Sequence, residues 1–208
     1  MKKIIKKESD LKLTIGSLYH PPLIPMPDIP VANHYGAFLT KRKFDVHTGV
    51  DLACNDGSPV YAIEDGEIVV IRKFTGEHAG TPFWENTWAI DIEGMTGTIC
   101  YGEVDPNPLL KVGDIARKGE KIGTVKRVLK EFKGKPMSML HLAIHNFGWK
   151  YLYKDQQNPS MESFYDLQKD PTMLLIQLKN MSDIMEFKDE FAYQINGLRR
   201  KINGGENE

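Results

Sequence analysis

Between residues 59 and 145 the chain is cut by glycine into short runs of β-type residues, and no segment in this stretch is long enough for a helix to build the core. The runs cover 59–62, 67–73, 87–92, 98–101, 121–125 and 140–145. Turn signals separate them at Asp65-Gly66, Glu93-Gly94, Val112-Gly113-Asp114 and Lys118-Gly119. Branched and aromatic residues suit a pleated, half-buried surface, and glycine with aspartate supplies the turn conformations between strands. The reading is a mainly β protein, an antiparallel sheet or sandwich.

Different textures flank this block. Residues 20–30 hold five prolines in eleven positions, a density that removes amide donors and favours an extended path. A linker or a wrapping arm over residues 1–32 follows. From about Ser182, with Asp183 near its start, Phe187, Phe191, Ile195, Leu198 and Ile202 recur at three- and four-residue spacing. That pattern predicts an amphipathic helix, with Asn203-Gly204-Gly205 as its stop and its apolar stripe either on its own domain or against a protein partner. The expected division is therefore an arm over 1–32, a β domain over 33–178, and a helix and tail over 179–208.

Composition excludes several functions. A formal net charge of -1, with 26% charged and 41% hydrophobic residues, lacks the basic footprint of nucleic-acid binding. No apolar run approaches the ~20 residues that span a bilayer, so membrane insertion is not expected. Residues 1–16 carry the lysines of a secretory leader without the apolar run that follows them in one. The localisation expected is cytoplasmic until release, or association with a phage. The two cysteines, Cys54 and Cys100, are too few for a disulfide framework and fit a reduced compartment. Each lies three residues from an acid, Asp51 or Glu103, which raises the expectation that both approach one site; as small buried hydrophobes they need no such role.

Two groups carry chemistry. His47-Thr48-Gly49-Val50-Asp51 spaces two metal-ligating side chains four apart, ~13 Å on a regular strand and too far to share an ion. A bend at Gly49, which tolerates unusual backbone angles, folds them together. His141 and His145 lie in an alternating strand-like run, and for the same reason at most one of them is a direct ligand. With His47 and Asp51, one of them gives two nitrogens and one oxygen, and three protein ligands plus water is the usual layout of catalytic zinc.

As an ordered set, these pieces resemble the lysostaphin-type (LytM-like) zinc metalloendopeptidases. The matching segments are His47-Thr48-Gly49-Val50-Asp51-Leu52, Gly57-Ser58-Pro59-Val60-Tyr61-Ala62, Asp65-Gly66-Glu67-Ile68-Val69, the turns at Val112-Gly113-Asp114 and Lys118-Gly119, Lys121-Ile122-Gly123, Leu140-His141-Leu142 and Asp170-Pro171-Thr172. They span roughly residues 33 to 175. The resemblance implies Zn²⁺ held by His47, Asp51 and His141, and hydrolysis of peptidoglycan peptides. It also implies that Phe83, Trp84 and Trp88 lie in a loop rimming the substrate groove, although aromatics in a β protein also fill cores.

This chain departs from the family at two positions. Met139 stands where the family has a histidine two residues before its last ligand, and Tyr101-Gly102-Glu103 replaces a tyrosine-glycine-histidine run. Glu103 is then either a general base, a fourth ligand that closes the site, or a solvated strand carboxylate. A zinc endopeptidase and a catalytically silent zinc module are the two functions that remain. A biotinyl or lipoyl carrier, also built of glycine-punctuated strands, lacks its lysine here.

Overall fold

The computed structural model describes residues 18–42, 46–132, 134, 136–146 and 168–204. Its strands are β1 (Val50–Ala53), β2 (Pro59–Tyr61), β3 (Gly66–Lys73), β4 (Trp88–Gly94), β5 (Thr98–Pro106), β6 (Ile115–Ala116), β7 (Lys121–Val125), β8 (Met139–His145) and β9 (Gln168–Lys169), followed by helix α1 (Thr172–Gly204). They pair antiparallel in the order β1-β8-β5-β4-β3-β6, with β7 joining β2 to β5 and β9 lying beside β8. The protein is mainly antiparallel β with one C-terminal helix. No described helix is long and apolar enough to cross a membrane.

Strand alternation divides the sheet into two chemistries. Val50 and Leu52 of β1, Leu140, Leu142 and Ile144 of β8, and Ile99 and Tyr101 of β5 are buried in the main hydrophobic cluster. The residues between them, Asp51, His141, Cys100 and Gly102, therefore point to the opposite face. The core sits on one side, and the chemistry on the other.

The proline-rich arm is no linker. Leu23 and Met26 are buried with Leu175 and Leu178 of α1 in the same cluster as the strands. Backbone bonds from His20 N to Ile63 O (2.7 Å) and Tyr61 N to Pro22 O (3.0 Å) fix the arm to the sheet. The divisions expected at 32/33 and 178/179 thus run through one continuous core. The helix also begins ten residues before the position expected from its stripe. Asp170 Oδ1 accepts the Thr172 amide at 2.9 Å and Leu175 N bonds Pro171 O, an aspartate cap followed by proline at the first turn.

β5 changes partners along its length. Residues 98–102 pair with β8, whereas 104–106 pair with β7, and the register against β4 slips between Trp88 and Ile90. Glu103 sits at the switch with φ 62°, a left-handed conformation that costs a non-glycine residue ~1–2 kcal/mol. Such an irregularity re-aims a side chain.

Candidate metal centre

The two strands nearest the site bring the first pair of side chains together. In the β1–β8 register Asp51 lies directly opposite His141. Cross-strand partners hold their Cβ atoms ~4.5–5.5 Å apart, so carboxylate and imidazole meet with no special loop. His141 Nδ1 lies 2.9 Å from Asp51 Oδ1.

His47 reaches the pair from just before β1. The bend expected at Gly49 is there, but its reason is space, not backbone angle. Gly49 is not among the positive-φ residues. A Cβ at this position would lie 2.6 Å from Leu142 O and 2.8 Å from His141 Nε2. Backbone bonds from Leu39 N to His47 O and from His47 N to Thr40 O then anchor the residue. Its ring nitrogen Nδ1 donates to Ala37 O at 2.9 Å, which assigns the tautomer and leaves Nε2 as a lone-pair donor atom. That Nε2 stands 3.2 Å from His141 Nδ1 and 3.1 Å from Asp51 Oδ1.

Three ligand atoms thus converge within 2.9–3.2 Å of one another, and all three residues are buried. Two acceptor atoms, His47 Nε2 and Asp51 Oδ1, face each other with no proton of their own to share. A cation resolves this. Tetrahedral zinc with bonds of ~2.0–2.1 Å spaces its ligands about 3.3 Å apart, close to what is seen here. Among the described residues this is the one cluster of three or more metal-ligating groups.

Burial, the largest influence on Asp51, pushes its carboxyl up. The hydrogen bonds and charges of His141 and His47 outweigh it and hold the group well below the usual carboxylate range. For His141, burial dominates and lowers the pKa despite Asp51, favouring the neutral, metal-binding ring.

Several neighbours carry no local signal in the sequence. Arg42, flanked by lysines and indistinguishable there from a solvated basic run, places Nη2 2.6 Å from Asp51 Oδ2, so the two carboxylate oxygens serve different partners. Phe74 packs its ring against His141 at 5.3 Å and lies over Gly102, where a Cβ would come within 2.6 Å of it. Thr75 and Thr87 donate to Glu103 Oε2 at 3.0 and 2.9 Å and touch each other at 2.6 Å. Nothing local marks them, because what joins them is the hydrogen-bonded base of the 75–87 loop.

Glu103 is buried and lies outside the metal cluster, which disfavours both the fourth-ligand and the solvated-strand readings. Burial pushes its carboxyl up to about 7 against the pull of the two threonine hydroxyls. Three oxygens, Thr75 Oγ1, Thr87 Oγ1 and Glu103 Oε2, form a closed ring of contacts. With both hydroxyls donating to Oε2 the Thr75–Thr87 side has no proton; a proton on Oε2 lets one hydroxyl turn to the other, and each side then holds one.

The remaining expected residues are dispersed. Trp88 begins β4 and packs edge-on against His78, whose Nε2 donates to Thr87 O. Trp84 bridges to Leu129, and Phe83 is 82% exposed. The cleft that reaches Asp51 has a volume of about 740 Å³ and is walled instead by the arm, with Ile29, Val31, Tyr35, Pro136 and Met139 among its lining. Neither cysteine joins the site. Cys100 is buried beside Ala89 and Ala143 with Arg72 Nη2 3.4 Å from its sulfur, and burial pushes the half-buried Cys54 thiol up to about 11. His145 lies opposite Thr98 and Gln168, away from the metal cluster.

The sequence pattern of Peptidase family M23 matches residues 45–159, more than half the chain. The chain belongs to peptidase family M23. This M23 chain is 33% identical over 101 residues to leukocyte cell-derived chemotaxin-2 of Bos taurus, covering 48% of its own length and 60% of that protein. Among solved structures, the antimicrobial peptidase lysostaphin from Staphylococcus simulans is similar at 20% identity, with 77% of this chain and 55% of that one covered and a TM-score of 0.49. A zinc-containing peptidase from Vibrio cholerae is similar at 24% identity, over 61% and 36% of the two chains, with a TM-score of 0.43.

Proposed function

We propose that this M23 chain is a zinc-dependent endopeptidase that hydrolyses peptide bonds of peptidoglycan. The observation that carries the proposal is the convergence of His47 Nε2, Asp51 Oδ1 and His141 Nδ1 on one point. These three residues would hold Zn²⁺. When bound, the ion polarises the scissile carbonyl and lowers the pKa of water towards ~7.

The chain's own residues do the rest. Arg42 keeps Asp51 Oδ2 engaged, so that Oδ1 faces the histidines. The Nδ1 bond to Ala37 keeps His47 in the ligating tautomer. Phe74 limits rotation of the His141 ring and keeps water from that side. Glu103, with Oε2 tied to two threonines, takes the proton of the attacking water on Oε1 and passes it to the departing amine. The arm-walled cleft receives the peptide beside Asp51, and its largely apolar lining suits side chains more than backbone alone.

A second reading rests on the three-oxygen ring. A proton retained by Glu103 completes that ring and removes the base, leaving a zinc-bearing module that binds wall peptide without cutting it. Measuring zinc content and hydrolysis of purified peptidoglycan on one sample, from pH 6 to 9, separates the two readings. Stoichiometric zinc with release of new amino termini supports the enzyme. Stoichiometric zinc with no release across that range leaves the silent module.

A further inference from the structure

Helix α1 has two environments. Leu175, Leu178 and Ser182 are buried, and Met26 N donates to Ser182 Oγ at 3.1 Å, so the first eleven residues are part of the domain. Past Ser182, Ile184, Phe187, Phe191 and Tyr193 are 47%, 68%, 55% and 81% exposed. Phe187 and Phe191 stack one turn apart with ring centroids separated by 6.2 Å. The helix continues to Gly204, and the sequence extends the same spacing through Ile195, Leu198 and Ile202. From 184 to 202 this stripe runs roughly 27 Å.

A helix without a surface beneath it is marginal in water and gains most of its stability by packing its apolar face. Gly197 in its interior weakens it further as a lone helix. Something therefore covers the stripe, and the charges identify what. Residues 183–190 carry Asp183, Glu186, Asp189 and Glu190 against one lysine, Lys188, a net charge of -3. Residues 191–204 carry Arg199, Arg200 and Lys201 with no acid, a net charge of +3. One segment has two halves that complement each other only when reversed.

We propose that the projecting half of α1 is a self-association surface and that its partner is the same segment of a second copy, lying antiparallel. A two-fold axis near residue 193 sets positions 184 and 202, 187 and 198, and 191 and 195 opposite one another. It also lays the acidic half of each copy alongside the basic half of the other, with positions 183 and 201 flanking the stripe on the same side, acid against base, twice per dimer. A parallel pair sets acid against acid and base against base. An isologous contact of this kind closes on itself as a dimer and leaves the metal centres free.

Sedimentation equilibrium of the full chain, at about 1 to 100 µM and at low and high salt, tests the proposal. The expected result is a dimer that weakens as salt rises. Phe187→Glu with Phe191→Glu raises its Kd on the order of 100-fold or more, since buried aromatic anchors dominate such contacts. Both side chains are exposed in the single chain, so near-ultraviolet dichroism and thermal midpoint of the β domain stay unchanged. A variant carrying Glu186→Lys, Asp189→Lys and Glu190→Lys, and another carrying Arg199→Glu, Arg200→Glu and Lys201→Glu, are each monomeric alone and associate when mixed. The proposal is overturned by a wild type that is monomeric at 100 µM, by a dimer indifferent to the phenylalanine substitutions, or by charge variants that do not rescue each other. Co-sedimentation with phosphatidylcholine and phosphatidylglycerol vesicles in place of self-association overturns it as well, giving the stripe to a lipid surface.

Discussion

Asp51 and Glu103 are buried to nearly the same extent, 8% and 7% exposed, yet their carboxyls are driven in opposite directions. Desolvation is the largest influence on each and raises both. Asp51 faces two imidazoles, which outweigh burial, whereas Glu103 faces two neutral hydroxyls, which do not. The partner set, rather than depth, decides which carboxylate stays ionised to bind a cation and which holds a proton near neutrality. In the proposed enzyme, one sheet face thereby makes a ligand and a base from the same functional group.

Removing the ligand side of this comparison gives the largest effect. His47→Ala, Asp51→Ala and His141→Ala are each expected to abolish stoichiometric zinc by elemental analysis, while His145→Ala retains it. Full occupancy in Asp51→Ala sinks the assignment. On the other side, Glu103→Gln keeps the shape and the threonine contacts but removes the basic oxygen. Turnover should fall ~10²- to 10⁴-fold with zinc still bound, and undiminished hydrolysis takes Glu103 out of the mechanism.

Arg42 tests whether the charge around Asp51 matters as much as its position. Arg42→Met should weaken zinc binding ~10- to 100-fold in a competition titration, the usual cost of losing a ligand's own partner. An unchanged affinity means that the histidines alone orient Asp51.

The smaller effects follow proton by proton. The folded chain holds the Glu103 proton up to about pH 7, above the ordinary glutamate range, so folding takes up that proton. The resulting stability is complete below the unfolded pKa, ~4.3, and is lost as pH rises through about 7. In metal-free protein, the stability of wild type relative to Glu103→Gln should therefore decline over this window, by about 3 kcal/mol at most. Chemical denaturation at pH 4.5 and 8 reads the change, and a flat difference contradicts the buried, proton-holding carboxyl. Thr87→Val removes one donor to the carboxylate and should move the acidic limb of the pH–rate profile upward by about one unit. A shift downward breaks the assignment of that limb to Glu103.

Local sequence made the convergent His47, Asp51 and His141 group legible because its order and spacing survive without knowledge of the fold. His47, Asp51 and His141 announce themselves by residue type, and glycine turns mark the strands around them. Arg42, Phe74, Thr75 and Thr87 act through contacts set by register, loop closure and the irregularity at Glu103, none of which is a local property. The helix start is not legible in the apolar stripe for a related reason. Leu175 and Leu178 face the domain while Ile184, Phe187 and Phe191 face outward, so one helix carries two apolar stripes. The Asp170-Pro171-Thr172 segment, which carries part of the family resemblance, is also a helix-start signal.

Because Asp51 and His141 form one rung of a ladder, the size of the binding pocket is set by the spacing between two strands. Sliding β1 against β8 by a single residue would point one of them into the hydrocarbon interior and expose a leucine or valine in its place. Affinity for the proposed zinc is thus a ruler for strand alignment. Any substitution far from the ion that lets the edge strand creep would be recorded as lost metal well before it is recorded as lost β structure.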